Sequence, residues 1–268
     1  MLRLPAVAGT FYPDNPVELT KQIHTFVDSA SAQEKISCRA CLVPHAGYSY
    51  SGHVAGAVYG RLALPPRIII LGVRHFPRGA NVAMLSEGAW RTPLGDVAID
   101  SDLAGKISRV CPLLREDFIA HEREHSLEVQ LPFLQVLQPG LSFVPIALGA
   151  VQFDELVCIG ESLGRILATE QNILLLTTSD FNHYEDDVTT RRKDHLAIEQ
   201  ILKLNPRSLF DVCRTEKISM CGLGPAVAML TALNIIGSNR PELVKYATSA
   251  DVSGDSNSVV GYAGMIFH

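Results

Sequence analysis

Five short stretches of the sequence carry side chains that bind metal ions or transfer protons. They are residues 44–47 (PHAG), 72–75 (GVRH), 124–126 (EHS), 179–183 (SDFNH) and 220–222 (MCG). Four of the nine histidines and one of the six cysteines lie in them. Imidazole nitrogens and thiolate sulfur are ligands that iron, copper and zinc accept in proteins. We therefore expect the five stretches to meet in one pocket that holds a transition metal.

Three of the five stretches follow apolar runs that are typical of buried strands. These strands are predicted at 39–43, 67–72 and 172–178. In an open α/β sheet, ligands bind beyond the carboxyl ends of the strands. His45 and His75 come shortly after the first two strands. Asp180 and His183 follow the third, so we expect all four side chains at the same edge of the sheet.

Cys221 stands immediately before a glycine and the predicted start of a helix. A helix N-terminus lowers the pKa of a nearby thiol, and the thiolate is the form that binds metals. Two imidazoles and one thiolate would leave coordination positions open for water or substrate. Taken singly, a histidine after a strand is more often a hydrogen-bonded structural residue, and a cysteine a buried small apolar one. The prediction of a metal site therefore depends on the stretches meeting in space.

Other titratable residues near these stretches receive no direct role. Glu124 and Glu128 flank His125 and are predicted to be exposed to solvent, with orientation of the imidazole as the alternative. His121 is predicted to lie at the surface.

The rest of the sequence predicts the elements that hold these side chains. Helices are predicted from Pro16 and from His125, the second kinked at Pro132, and at 51–62, 101–110, 153–169, 188–203, 206–214 and 222–236. Further strands are predicted at 81–85, 88–99, 142–148, 243–251 and 259–267, and a polar loop at 29–34. Strands that alternate with helices form parallel crossover units. We expect one three-layer α/β domain over 1–268, whose central, mostly parallel sheet carries helices on both faces.

Composition and charge exclude several classes of function. Hydrophobic residues make up 47% of the 268 positions, which is ample for a folded core. A net charge of −5 without a basic stripe argues against nucleic acid as a partner. No apolar run reaches the roughly 20 residues that span a bilayer, and no secretory leader is visible, so we expect no membrane segment. Six scattered cysteines, including a Cys38–Cys41 pair that we interpret as structural, predict a reduced, cytoplasmic protein.

Taken together, the motifs resemble those of the Memo family. The matching segments are 8–13 (AGTFYP), 43–52 (VPHAGYSYSG), 70–75 (ILGVRH), 124–133 (EHSLEVQLPF), 178–184 (TSDFNHY), 221–225 (CGLGP) and 261–264 (GYAG). They occur in the family's order and span nearly the whole chain, so the resemblance is specific. It implies a fold similar to that of the class III extradiol ring-cleaving dioxygenases, which use non-haem Fe(II).

The resemblance also implies which residues bind the metal. Carried over position by position, it gives His45, His75 and Cys221 as ligands, with Fe(II) as the expected cofactor and copper or zinc as alternatives. The extradiol enzymes have a carboxylate as third ligand where this chain has Cys221, and a thiolate changes the oxygen chemistry of iron. In some family members a second histidine follows the one that ends the 70–75 motif. This chain has Phe76 at that position.

Three functions remain open from the sequence. The first is an iron-dependent redox enzyme on an unknown small substrate, aromatic or otherwise reduced, with His125 and His183 as acid–base groups and Asp180 orienting an imidazole. The second is a non-catalytic module that binds metal or a peptide and acts through protein partners, since animal members of the family are linked to cell-motility signalling and phosphopeptide binding. The third is a hydrolase with zinc in the same site.

Overall fold

The structure of the chain is a computed structural model. Its central element is a sheet of twelve strands, which lie within residues 1–28, 35–237 and 240–268. The structure describes only these ranges, so the loop predicted at 29–34 lies outside the described residues. The strands are β1 (Leu2–Arg3), β2 (Ala40–Val43), β3 (Arg67–Val73), β4 (Val82–Met84), β5 (Ala89–Thr92), β6 (Gly95–Ile99), β7 (Arg115–Glu116), β8 (Ser142–Leu148), β9 (Ile173–Thr178), β10 (His183–Glu185), β11 (Pro241–Thr248) and β12 (Val259–Phe267). The helices are α1 (Pro16–Asp28), α2 (Tyr48–Tyr59), α3 (Ser101–Val110), α4 (Ile119–Glu122), α5 (Leu131–Leu137), α6 (Phe153–Thr169), α7 (Asp187–Leu202), α8 (Pro206–Thr215), α9 (Leu223–Ile236) and α10 (Ala250–Ser253), with a 3₁₀ turn at Glu128–Gln130.

Parallel strands form the middle of the sheet, in the order β6, β8, β3, β9 and β2. Strand β9 lies between β3 and β2, and its Thr177 is paired with Leu71 on one side and Leu42 on the other. These three strands are buried almost throughout, which explains why their sequences are apolar without alternation. Because they run in the same direction, their carboxyl ends meet at one edge of the sheet.

Helices cover both faces of the sheet, which confirms the predicted three-layer α/β fold. Ile69 and Leu71 of β3 face a core formed with α3, α6, α7, α8 and α9. Ile68 and Ile70 face the opposite core, formed with α1, α2 and α5. This alternation follows from the two-residue period of a strand. Among the described residues, none of the helices is long and apolar enough to cross a membrane.

Most element boundaries follow signals in the sequence. The side chains of Asn15 and Asp100 accept backbone N–H groups of the first turns of α1 and α3. Helix α2 begins at Tyr48 and not at the predicted position 51. The predicted kink at Pro132 is wrong, because the segment after His125 divides into the 3₁₀ turn and α5. Proline then occupies the first turn of α5, where its missing N–H breaks no helical hydrogen bond.

Candidate metal centre

His45 lies just beyond the carboxyl end of β2 and is almost fully buried. Its Nδ1 lies 2.8 Å from Oγ1 of Thr178, the last residue of the neighbouring β9. The Asp180 carboxylate accepts the backbone N–H groups of His45 and Ala46 at 2.8 and 3.3 Å, which fixes the turn after β2. These contacts leave Nε2 as the ring nitrogen available to a metal.

The sulfur of Cys221 lies 3.1 Å from Nε2 of His45, although the two residues are 176 positions apart in the chain. The backbone N–H of Gly222 donates to Ser179 Oγ at 3.0 Å, and a Cβ at this glycine would lie 2.3 Å from Cβ of Ser179. Only glycine therefore allows this close approach. Burial raises the pKa of the Cys221 thiol above its ordinary value, and Asp180 adds to the effect. The predicted lowering by the helix N-terminus is wrong for the metal-free chain, although a bound cation favours the thiolate.

His75 follows β3 and is held by the buried carboxylate of Glu124. Its Nδ1 lies 2.9 Å from Glu124 Oε1, and its backbone N–H donates to Oε2 at 2.6 Å. Ser126 donates its own backbone N–H to the same carboxylate at 2.8 Å. Burial alone would raise the pKa of Glu124, but the hydrogen bond and charge of His75, with the nearby His125, lower it to about 2. The carboxylate is thus ionised and orients His75 so that Nε2 remains free.

The donor atoms of His45, His75 and Cys221 all lie within 4.8 Å of one another. The two imidazole rings are nearly perpendicular, at 82°, with centroids 5.1 Å apart. Burial lowers the pKa of His45 well below its ordinary value, so its lone pair is available to a metal. Ligands at 2.0–2.3 Å from one ion lie roughly 3–4 Å from each other, so small side-chain movements would complete the site. The residues present therefore fit a transition metal.

His125 forms one wall of this centre. Its ring stacks on that of His75 with a centroid distance of 4.5 Å and an angle of 23°, and its centroid lies 5.6 Å from that of His45. The Phe11 ring covers it at 4.8 Å. Burial lowers the pKa of His125 to about 4, so the ring is neutral at neutral pH. Glu124 lies 3.7 Å from its Nδ1 and, with His75 and His125, forms a second group of potential ligands.

His183, in β10, is fixed by the segment that leads to the cysteine. Its backbone N–H donates to Ser219 Oγ at 2.8 Å, and its Nδ1 lies 2.9 Å from the Ser219 carbonyl oxygen. A carbonyl only accepts, so Nδ1 carries the proton and Nε2 is the acceptor. Burial lowers the pKa of His183 below its ordinary value. Electrostatic interaction with His183 contributes to the lowered pKa of His45, and interaction with His75 contributes to the lowered pKa of His183.

A family model described as Memo-like protein matches residues 3–266. The chain belongs to the Memo family. This confirms the resemblance drawn from the seven motifs.

Relatives in this family are similar over their full length. A MEMO1 family protein of Pyrobaculum arsenaticum is 41% identical over 282 residues, covering 100% of this chain and 99% of the relative. MEMO1 family proteins of Methanopyrus kandleri and Aquifex aeolicus are each 39% identical, covering 100% and 99% of this chain and 99% of each relative. An uncharacterized protein of Escherichia coli K12 has a similar structure, with a TM-score of 0.53 and 11% identity over 85% of this chain and 98% of that one. That likeness concerns the fold alone.

Three sequence-based predictions around the site are wrong. Glu124 and Glu128 are buried and not exposed, and His121 is buried and not at the surface. Glu128 pairs with Arg3 at 2.5 Å and accepts the Tyr12 hydroxyl at 2.6 Å, which ties the N-terminal segment to the site. A buried charge needs such partners, and they come from a distant part of the chain that local sequence does not reveal.

The groups that hold the imidazoles also differ from the prediction. Asp180 contacts no imidazole nitrogen among the described hydrogen bonds; its carboxylate holds the backbone after β2. Thr178, Glu124 and Ser219 hold the rings instead. Glu124 lies within the 124–126 stretch, and Thr178 and Ser219 stand immediately before the 179–183 and 220–222 stretches, which was the available signal. Burial raises the pKa of Asp180 to about 6 despite its backbone hydrogen bonds.

Proposed function

We propose that the chain holds Fe(II) at His45, His75 and Cys221 and acts as a redox enzyme on a small substrate. The main support is the convergence of their three donor atoms within 4.8 Å. In both imidazoles the Nδ1 atom already has a partner, Thr178 for His45 and Glu124 for His75. Partners of this kind fix the ring orientation and the tautomer of metal-binding histidines.

Bound Fe(II) would supply one-electron chemistry toward oxygen and a reduced substrate. Three protein ligands leave coordination positions open, as an enzyme of this kind requires. The family's fold relation to ring-cleaving dioxygenases favours iron, but their third ligand is a carboxylate. A thiol at Cys221 makes the site softer, so we do not extend ring cleavage to this chain.

The neighbouring side chains define the proton chemistry. His183 has Nε2 as an acceptor because its Nδ1–H donates to Ser219. It can take a proton from a substrate hydroxyl that enters the pocket. His125, neutral because burial lowers its pKa to about 4, can donate a hydrogen bond from one ring nitrogen and accept at the other. Asp180 keeps the His45 turn in place.

Metal reconstitution tests the binding step. The metal-free chain is titrated anaerobically with Fe(II), Cu(I) and Zn(II) in separate experiments, and bound metal is measured by elemental analysis after desalting. We expect one equivalent of bound metal in the wild type and its loss in His45→Ala. His24→Ala is the matched control, since His24 lies exposed on α1.

Oxygen uptake with a panel of phenols and other reduced small molecules then tests the reaction. Fe(II)-dependent uptake that His45→Ala abolishes supports the proposal. Ester or amide hydrolysis by the Zn(II)-loaded chain would favour the hydrolase instead. Protein partners that stay bound to His45→Ala in a pull-down, with no turnover by any metal form, would favour a non-catalytic module.

A further inference from the structure

Tyr184 is an exposed aromatic residue in an unusual backbone conformation beside the site. Its φ angle is 64°, in the left-handed region that side chains with a Cβ rarely adopt. Its side chain is nevertheless large, and the residue is 77% exposed. Buried packing therefore does not account for a tyrosine at this position.

A bulge in β10 produces this conformation. His183 pairs with Val260 of β12 and Glu185 with Val259, so Tyr184 is an extra residue with no partner in β12. Bulges with one residue in the left-handed region normally place glycine there, and they turn a side chain toward a nearby site. Here the chain has tyrosine where glycine would be unstrained.

Both neighbours of Tyr184 are anchored, so the bulge is held in place. His183 is fixed by its two hydrogen bonds to Ser219. Glu185 accepts the side-chain amide of Asn182 at 2.6 Å and pairs with Lys193 at 2.7 Å. A strained conformation that the surrounding contacts maintain is typical of functional positions.

The Tyr184 ring lies next to the candidate centre. Its centroid is 5.6 Å from that of His183. Burial raises the pKa of Tyr262, and electrostatic interactions with Asp180, Tyr50 and Tyr184 add to the effect. The exposed ring of Tyr184 therefore lies beside a histidine that the sequence assigns to the site.

We propose that Tyr184 is a substrate-contacting residue, which packs its ring against a planar aromatic group of a ligand bound at the metal centre. This inference rests on the proposed function, because the ligand is held by the metal at one end. An exposed tyrosine whose backbone is fixed beside His183 offers a rigid flat face at little cost in side-chain entropy. Its selection over glycine is then explained by ligand binding.

Two hydroxamates with the same metal-binding group test this role. Benzohydroxamic acid carries a planar ring, and acetohydroxamic acid carries a methyl group in its place. Their dissociation constants are measured by calorimetry on the Co(II)-loaded chain for the wild type and for Tyr184→Gly, Tyr184→Phe and Tyr184→Ala. We expect the wild type to prefer the ring compound and Tyr184→Gly and Tyr184→Ala to lose roughly 3- to 10-fold of that preference. Tyr184→Phe keeps it.

Thermal unfolding separates this role from a structural one. We expect Tyr184→Gly to unfold at the same temperature as the wild type or higher, because it relieves the left-handed strain. An unchanged ring preference in Tyr184→Gly, with both hydroxamates binding, would overturn the role of Tyr184 alone. If neither hydroxamate binds the wild type in a Co(II)-dependent way, the proposed metal centre fails, and the Tyr184 proposal fails with it.

Discussion

Oε1 of Glu124 lies 2.9 Å from Nδ1 of His75, and Oε2 of the same carboxylate accepts the backbone N–H of His75 at 2.6 Å. One buried carboxylate therefore fixes both the ring and the backbone of a candidate ligand. The carboxylate and the imidazole come from two different stretches of the sequence, 124–126 and 72–75, and their contact joins the first stretch to the segment that follows β3. It also leaves a single ring nitrogen of His75 for the metal.

We predict that Glu124→Gln weakens Fe(II) binding by roughly 10- to 100-fold, because an amide orients the imidazole less strongly and carries no charge. Competition with a chelator of known affinity measures the change. Glu122→Gln is the control, since its side chain is 48% exposed and lies in the same segment. Equal metal affinity in Glu124→Gln and the wild type would show that this carboxylate only stabilises the fold.

The candidate ligands could be found from the sequence because each follows a recognisable strand or precedes a recognisable helix. His45 and His75 come after apolar runs, and parallel strands bring their carboxyl ends to one edge. The sequence order of the strands does not show that β9 lies between β2 and β3. That position makes Thr178 the partner of His45.

The contacts that hold the rings were harder to predict, because they depend on burial and on distant segments. Glu124 resembles a surface residue in a polar stretch. Its environment is set by the segment after β3, where its partner His75 lies 49 positions away in the chain. The bulge at Tyr184 was not predicted either. A β-bulge depends on the register between β10 and β12, and the local sequence contains no glycine that would indicate one.

Two adjacent threonines at the end of β9 allow a matched comparison. Thr178 Oγ1 lies 2.8 Å from Nδ1 of His45, whereas Thr177 Oγ1, also buried, has no hydrogen-bond partner among the described residues. We predict that Thr178→Val leaves the buried imidazole nitrogen unpaired and costs about 1–3 kcal/mol in free energy of unfolding. It should also weaken metal binding.

Thr177→Val is the matched change at the neighbouring position and removes the hydroxyl of that threonine. Because that hydroxyl is already unpaired, its loss should leave stability unchanged or raise it by up to about 1 kcal/mol. Urea unfolding of the metal-free variants measures both effects. Equal destabilisation by the two substitutions would contradict a specific role for Thr178.

We predict that the buried carboxyl of Asp194, which is not a candidate metal ligand, makes the stability of the fold depend on pH. It is buried on α7 and accepts the Tyr246 hydroxyl and the Asn182 backbone N–H, each at 2.8 Å. Burial raises its pKa from 3.8 to about 7, despite these hydrogen bonds. Between about pH 4 and 7 the folded carboxyl keeps a proton that the unfolded one loses, so stability falls as the pH rises through this window.

We predict that Asp194→Asn removes this decline and is more stable than the wild type at pH 8, by up to about 4 kcal/mol. The difference should shrink as the pH falls to about 4 and below, where the carboxyl of the unfolded wild type also becomes protonated. Urea unfolding at several pH values measures it. Tyr246→Phe removes a donor that lowers the pKa, so its decline should extend to higher pH. A constant difference between Asp194→Asn and the wild type across this range would rule out the titration.

The surroundings of Gly222 show how closely the segment that contains Cys221 approaches the end of β9. A Cβ at this position would lie 2.5 Å from the Thr178 carbonyl oxygen and 2.3 Å from Cβ of Ser179. We predict that Gly222→Ala displaces Cys221, destabilises the fold by roughly 1–3 kcal/mol and weakens metal binding. Thermal unfolding and metal titration measure the two effects.

Gly105 provides the control for that substitution. It lies within α3, and the nearest atom to an added Cβ is 3.8 Å away, in the Arg109 side chain. Gly105→Ala should therefore stabilise the chain by up to about 1 kcal/mol through its higher helix propensity. If Gly222→Ala behaved in the same way, the close contact with Ser179 would not constrain the site.

Cys221 predicts which metals the centre prefers. Replacing it by aspartate supplies the carboxylate that the extradiol enzymes have as third ligand, and it removes the soft sulfur donor. We predict that Cys221→Asp keeps Fe(II) binding but loses at least ten-fold in affinity for Cu(I), because Cu(I) favours thiolate over carboxylate. Cys213→Ser, at a buried cysteine on α8, is the control and should keep both affinities. In the Co(II)-loaded chain, near-ultraviolet sulfur-to-cobalt absorption should be present in Cys213→Ser and absent in Cys221→Asp. The same absorption in both variants would mean that another thiol binds the metal.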